Sequence, residues 1–414
     1  MSGTDAPTRS ATSAWVVYDL ANTIFALGVV GLYFPDWMTE NGIADSRLAT
    51  IQALAGVIVI LGAPWVGARA DHLRRRMPML IGTTLVAIAA TSFLAVSPLW
   101  VTFTALAVAL VAVNLGSVVY DAMLPLVSTE STRGRVSGLG VGVGYFGSFI
   151  GLGIGLVTLD VLEWSHTATF RVLAVAFLLF AIPTFLYVRE PRLDPRPGPA
   201  PRTVTIAADL VRSWKRARSH PDVFRFLMAR FLYTDAINTL IGGFLTIFVI
   251  EELGLDRDGS RNLLAVAIVG AIFGGIGGGI MVERFGPRRV LRTVLVMWVL
   301  AIGFGISAAI TGVTDLAWAI GPLGGFALGG TWAADRVVMT RVSPPAHLGE
   351  FYGLYATVGR FATVVGPLIW AFIVDVLGWG RTTAMGVLAL FIVAGWWVVG
   401  SVDDSRREWS PDLR

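Results

Sequence analysis

The sequence predicts an all-α integral membrane protein with twelve transmembrane helices in two pseudo-symmetric six-helix bundles. Three features carry that expectation: a charge-poor composition, twelve long apolar stretches, and polar landmarks that recur once at a nearly constant spacing. Hydrophobic residues make up 55% of the 414 positions and charged residues 14%, with a mean hydropathy of +0.70. A soluble domain carries roughly 25% charged residues. This chain has too few to cover a water-facing surface of its size, whereas lipid needs no such cover.

From the N-terminus, Met1 to Ala14 is polar and lacks the basic-then-apolar order of a signal peptide. The first apolar stretch is therefore read as an uncleaved helix. Stretches long enough to span, at roughly 20 residues each, fall near 15–38, 48–70, 78–97, 99–125, 136–160 and 168–188. A second set falls near 222–250, 260–283, 289–311, 315–342, 349–377 and 380–401. The expected domains are thus an N-terminal bundle (1–188), a linker (189–221) and a C-terminal bundle with a short tail (222–414). Within the linker, Pro195 to Pro201 should be extended. Thr203 to Ser219 sets Ile206, Leu210, Val211 and Trp214 at helical spacing among Arg212, Lys215, Arg216 and Arg218, the pattern of an amphipathic helix on a membrane surface.

Loop charges set the orientation. His72, Arg74–Arg76, Arg133, Arg135, the linker, Arg284, Arg288, Arg289, Arg292, Arg406 and Arg407 share one side. Glu40, Asp45, Asp160, Glu163, Glu251, Glu252, Asp256, Asp258 and Asp315 share the other. Basic loops stay cytoplasmic, which puts both termini inside. The basic pI near 9.7 follows from these loops, so nucleic acid is not an expected partner. Cysteine is absent, which excludes disulfides and thiolate chemistry. The four histidines, His72, His166, His220 and His347, fall in expected loops. No metal site, cofactor or enzymatic centre is expected within the spans.

The repeat is the most informative pattern. Asp19 and Asn22 on the first helix recur as Asp235 and Asn238 on the seventh, both at one offset. The loop Gly67-x-x-x-Asp71-x-x-Arg74-Arg75-Arg76 recurs as Gly279-x-x-x-Glu283-Arg284, at a slightly shorter offset. Asp121 and Gly138 correspond to Arg336 and Gly353, again at a shared offset that falls between the other two. Such a register implies two bundles of parallel topology related by an axis along the membrane normal.

These paired glycine–acid–basic loops resemble the signature of the major facilitator superfamily. Several segments are similar to its autophagy-related vacuolar effluxer-like branch and its bacterial members. They are Tyr18–Phe25, Gly134–Gly138 with Gly144-Tyr145, Ala229–Tyr233, Gly329–Arg336, and Glu350–Tyr355 with Gly359-Arg360 and Gly366-Pro367. The chain departs from the pattern at Leu20, Asp121 and Arg74, where that branch has a tryptophan, an asparagine and a glycine. The resemblance implies secondary transport of a small solute, with amino acids the substrate class of fungal relatives.

A charge within a span costs about 2.5–3.5 kcal/mol on insertion scales, so each such residue is a functional candidate. Arg360 sits about eleven residues into its helix, roughly 16 Å deep at 1.5 Å per residue, with Tyr145 as its repeat equivalent. An arginine there could hold a carboxylate bidentately or pair with a buried acid. Asn22 and Asn238 are the other candidate substrate ligands. Asp19, Asp121, Asp235, Asp335 and Arg336 are candidates for proton coupling or gating, with Asp121 and Arg336 favoured as latches. Asp19 is the specific hypothesis for the coupling proton. Gly67, Asp71, Arg74, Arg75, Glu283 and Arg284 form the expected gating loops, each acid accepting hydrogen bonds from a facing helix N-terminus.

The glycine-rich runs 138–144 and 270–279 lack the strand context of a nucleotide loop and read as close helix packing. The expected function is alternating-access transport of a small solute by a monomer in the lipid bilayer, coupled to H+ or another ion. The competing readings are a membrane-embedded enzyme, which the lack of histidine and cysteine in the spans disfavours, a sensor or scaffold, and a lipid-handling protein.

Overall fold

The computed structural model describes residues 8–43, 45–191, 194, 206–255, 257–362, 365–405 and 408–410. The proline-rich linker Pro195 to Pro201, Thr203, Asp256, Arg406 and Arg407 lie outside them.

Every described regular element is helical. In order they are α1 (Arg9–Thr23), α2 (Phe34–Glu40), α3 (Asp45–Leu73), α4 (Met77–Thr91), α5 (Leu99–Ala122), α6 (Leu124–Val127), α7 (Arg133–Gly155) and α8 (His166–Tyr187). There follow α9 (Ile206–Ser219), α10 (Pro221–Thr239), α11 (Leu245–Glu251), α12 (Arg257–Phe285), α13 (Pro287–Thr311), α14 (Ile320–Val342), α15 (Leu348–Phe361), α16 (Val365–Ala371) and α17 (Arg381–Gly400). Local chemistry sets several ends. Thr8 and Ser165 accept the Ala11 and Ala168 amides, at 3.2 and 3.4 Å, and so cap α1 and α8. Prolines open α10 and α13, where the missing N–H is no loss. Gly312, at φ +72°, closes α13.

Each of the twelve expected stretches has a helical counterpart. Among the described residues, nine helical segments are long and apolar enough to cross a membrane. A tenth, α4, is apolar but has 15 residues and ends at Thr91, short of the expected boundary near 97. The remaining two stretches carry internal charges, with Asp222, Arg225, Arg230 and Asp235 on α10 and Asp335, Arg336 and Arg341 on α14. His72 and His166 occupy terminal turns of α3 and α8 rather than loops.

Four spans contain π-helical stretches: Ile24–Tyr33, Leu156–Val161, Leu240–Phe244 and Phe372–Val376. The first residues of the last two repeat those of the first two at the same offset that relates Asp19 to Asp235. The expected stretch 349–377 falls within one candidate span, Pro345–Val376; α15 is described to Phe361 and α16 from Val365, with residues 363 and 364 outside the described set.

The chain forms two compact units. The first comprises residues 1–132, 143–213 and 345–356, the second 133–142, 214–344 and 357–414. In the first, α1 packs on α8 and α5 on α3 and α4. Trp15, Tyr18 and Tyr120 form a buried stack with centroids 4.4 and 4.9 Å apart. In the second, α14 lies between α12 and α13, and α17 packs on α10 and α13. Gly325 and Gly329 press on the backbone of α12 there, because neither carries a Cβ.

The linker helix α9 exists, but its protein-facing side runs through buried Ser213 and Ala217. Val211 is exposed beside Arg212 and Lys215. The side chain of Ile206 lies outside the described set.

Candidate functional site

Two sites of the same construction lie one in each unit. In the first, α3 meets the start of α15 so closely that a Cβ on Gly67 would collide with the Gly349 carbonyl. That approach delivers Asp71, 6% exposed, to the end of α15. Its Oδ2 accepts the Glu350 amide at 2.9 Å and its Oδ1 accepts Arg76 Nη2 at 2.8 Å. In the second, a Cβ on Gly279 would fall 2.5 Å from the Gly134 carbonyl oxygen. Glu283 Oε1 accepts the Arg135 amide at 3.0 Å, and its Oε2 accepts Arg135 Nη2 at 2.9 Å. Asp71 and Glu283 are equivalents in the sequence repeat, and Arg135 stands to Glu350 as Gly138 stands to Gly353. A carboxylate on free amides at a helix start gains both charge-assisted hydrogen bonds and the helix dipole.

Further side chains brace the first site. Glu190 caps the start of α4, accepting the Arg76 amide at 2.7 Å and the Met77 amide at 2.8 Å. Ser213 of α9 donates to Glu350 Oε1 at 2.6 Å, and His347 Nδ1 lies 3.4 Å from Glu350 Oε2. Arg76, Glu190 and Ser213 were not among the expected site residues. Arg76 was legible as part of the basic loop. Glu190 and Ser213 act on partners far away in the chain, which no local pattern signals.

The intramembrane acids separate by environment. Asp235 is fully buried on α10. Its Oδ1 accepts the Gly366 amide at 2.8 Å, and its buried Oδ2 has no hydrogen-bond partner among the described residues. Gly366 is obligatory there, because a Cβ would strike Thr239 Oγ1. Asp335, also fully buried, is ion-paired with Arg230, and its Oδ1 accepts the Tyr233 hydroxyl at 2.7 Å. Arg230 also lies over the Trp332 ring at 5.7 Å.

The other expected residues are placed as follows. Asp19 is buried where α1 crosses α7, a crossing made close by Gly28, Gly144, Gly147 and Gly151. Asn22 and Tyr145 are half-buried in the first unit, as is Asp121 near the end of α5. Asn238, Arg336 and Arg360 are half-buried in the second. Arg74, Arg75 and Arg284 are exposed. Among the described residues, Asp36, Glu40 and His166 bring one ligand atom each within 4.8 Å of one another. The two acids are 55% and 59% exposed, and each faces one imidazole nitrogen at 3.4 Å.

Comparison with known proteins agrees with this architecture. The family model described as "Vacuole effluxer Atg22 like" matches residues 44–409. An uncharacterized transporter of major-facilitator type from Bacillus subtilis, YxiO, is 26% identical over 411 residues, covering 92% of each chain. Autophagy-related protein 22-1 of Aspergillus niger is 26% identical over 273 residues, which are 59% of this chain and 43% of the fungal one. Among solved structures, the major facilitator FucP in its outward conformation matches with a TM-score of 0.73 at 14% identity, covering 95% of this chain and 98% of FucP. A bacterial homologue of the iron transporter ferroportin, in an outward-facing state, matches with a TM-score of 0.72 at 13% identity, covering 95% and 98%. With this fold, this repeat and a family match over most of its length, the chain belongs to the vacuole effluxer Atg22-like family of major-facilitator-type transporters.

Proposed function

We propose that this chain is a proton-coupled secondary transporter. It moves a small organic solute, amino acids being the first class to test, across a bacterial inner membrane by alternating access, with both termini cytoplasmic. The observation that carries the reading is the pair of repeat-related latches, Asp71 on the Glu350 amide and Glu283 on the Arg135 amide. A hydrogen bond to a charged group contributes about 1.5–3 kcal/mol net. A latch of that size is strong enough to hold one state and weak enough to be released within a cycle. Helices that meet backbone to backbone leave no slack, so each latch is either made or broken.

Asp235 is the favoured proton carrier. A buried carboxylate with one uncompensated oxygen is costly when charged and cheap when protonated. Asp335 is held by Arg230 and Tyr233 instead, which suits a fixed charge. This moves the coupling hypothesis from Asp19 to its repeat partner. Arg360 is the favoured anchor for a substrate carboxylate, since a guanidinium can hold a carboxylate bidentately and substrate sites of such transporters lie near the bilayer midplane.

The test is counterflow of labelled solutes in proteoliposomes, using pooled amino acids and pooled small organic anions. Exchange by the wild type, lost in a folded Arg360→Ala variant, supports the reading. Absence of exchange for every pool, with protein shown to be folded, would favour a sensor, scaffold or lipid-handling role.

A further inference from the structure

Outside the latches and the buried acids, the second unit carries a cavity of about 400 Å³ lined by Arg288, Arg289, Arg292, Thr293, Val296 and Trp396. It lies where the first turns of α13 meet the last turns of α17. We propose that this pocket binds the phosphate headgroup of an anionic phospholipid, which packs its acyl chains along α13 and α17.

The three arginines are not equivalent. Arg288 is committed: its Nε lies 3.6 Å from Asp404 Oδ1, and its Nη1 donates to the Val402 carbonyl at 2.7 Å. Arg292 lies over the Trp396 ring, with its guanidinium carbon 4.0 Å from the ring centroid. That contact neutralises nothing, and the buried Nε finds no acceptor among the described residues. Arg289 is exposed and has no acidic partner among the described residues. Among the described residues the pocket therefore holds two positive charges without an acidic partner, one of them held against an aromatic ring. A planar guanidinium of this kind recognises phosphate oxygens through paired N–H donors.

What favours a lipid over a free anion is the surface leading away from the cavity. Along α13, Arg289 and Thr293 share a face with Val296, Leu300 and Phe304, and those three apolar side chains are exposed. On α17, Leu390, Val393 and Trp397 are exposed as well. Charge gives way to apolar surface in the order a phospholipid does, from head to tail. Basic pockets between helices, facing the negatively charged leaflet, are suited to such headgroups. The side concerned is the one read above as cytoplasmic, but the binding test does not depend on that orientation or on transport.

The experiment titrates the purified full-length chain in neutral detergent with dioctanoyl phosphatidylglycerol, dioctanoyl phosphatidylcholine or inorganic phosphate, and reads the dissociation constants. Phosphatidylglycerol is expected to bind at least tenfold tighter than either alternative. Arg289→Gln should weaken it about fivefold, and Arg289→Gln with Arg292→Gln about thirtyfold. Arg171→Gln, the same charge change at another exposed arginine, should leave it unaltered. Because Arg289 is exposed, the single variant tests the proposal even if the double variant does not fold. Equal affinity for the two lipids, no loss in Arg289→Gln, or inorganic phosphate binding as tightly as phosphatidylglycerol would each overturn it.

Discussion

At the scale of single residues, Arg74 records a departure from its own repeat. It sits at φ +50°, in the left-handed region, while the residue at the same place after the acid in the second loop is Gly286 at φ +86°. A non-glycine residue in that region costs about 1–2 kcal/mol, and glycine returns part of the gain through unfolded-state entropy. Arg74→Gly should therefore raise the thermal unfolding midpoint by about a degree or two in detergent. Gly286→Arg should lower it, and opposite signs in the two swaps are the result to look for. The Arg230–Asp335 pair makes a stronger claim. Removing one partner strands a buried charge, a loss of about 3–5 kcal/mol. Asp335→Asn and Arg230→Gln should each destabilise strongly, and the double variant by clearly less than their sum. Asp335 was legible as a candidate because it is a charge within an apolar stretch, and Arg230 is another such charge. Their pairing, between two helices far apart in the chain, was not.

The glycines matter at the scale of elements. Gly67 and Gly279 allow α3 to reach the start of α15, and α12 the start of α7. Gly67→Val and Gly279→Val are expected to leave a helical, folded chain whose counterflow falls about tenfold or more, since the added methyls hold each acid off its amide. Normal flux in either would remove the latches from the mechanism. These crossings were half legible: the spacing Gly-x-x-x-acid marked the acid and its glycine, and the facing amide came from the tertiary fold. The twelve stretches were legible because hydropathy is a local property. The contact of Asp235 with the Gly366 amide was not, because the two residues lie far apart in the chain. Nor were the π-helical stretches, which depend on one extra residue in a turn rather than on composition. Their recurrence at a single offset ties them to the same repeat as Asp19 and Asp235, and π turns of this kind are common at functional sites.

The whole molecule joins these observations, because each compact unit draws on both halves of the sequence and contains one latch. If the latches serve one cycle, Asp71→Asn and Glu283→Gln should impair counterflow to a similar degree, within about threefold of each other, and the double variant should not show the product of the two losses. The measurement that tests the account most directly compares two modes of transport in the same proteoliposomes, accumulation driven by an imposed pH gradient and counterflow without one, for the wild type and Asp235→Asn. A neutral side chain at this position cannot carry a proton but keeps an acceptor for the Gly366 amide. The account predicts that the variant loses gradient-driven accumulation by at least tenfold while retaining counterflow. Undiminished accumulation in Asp235→Asn would contradict it.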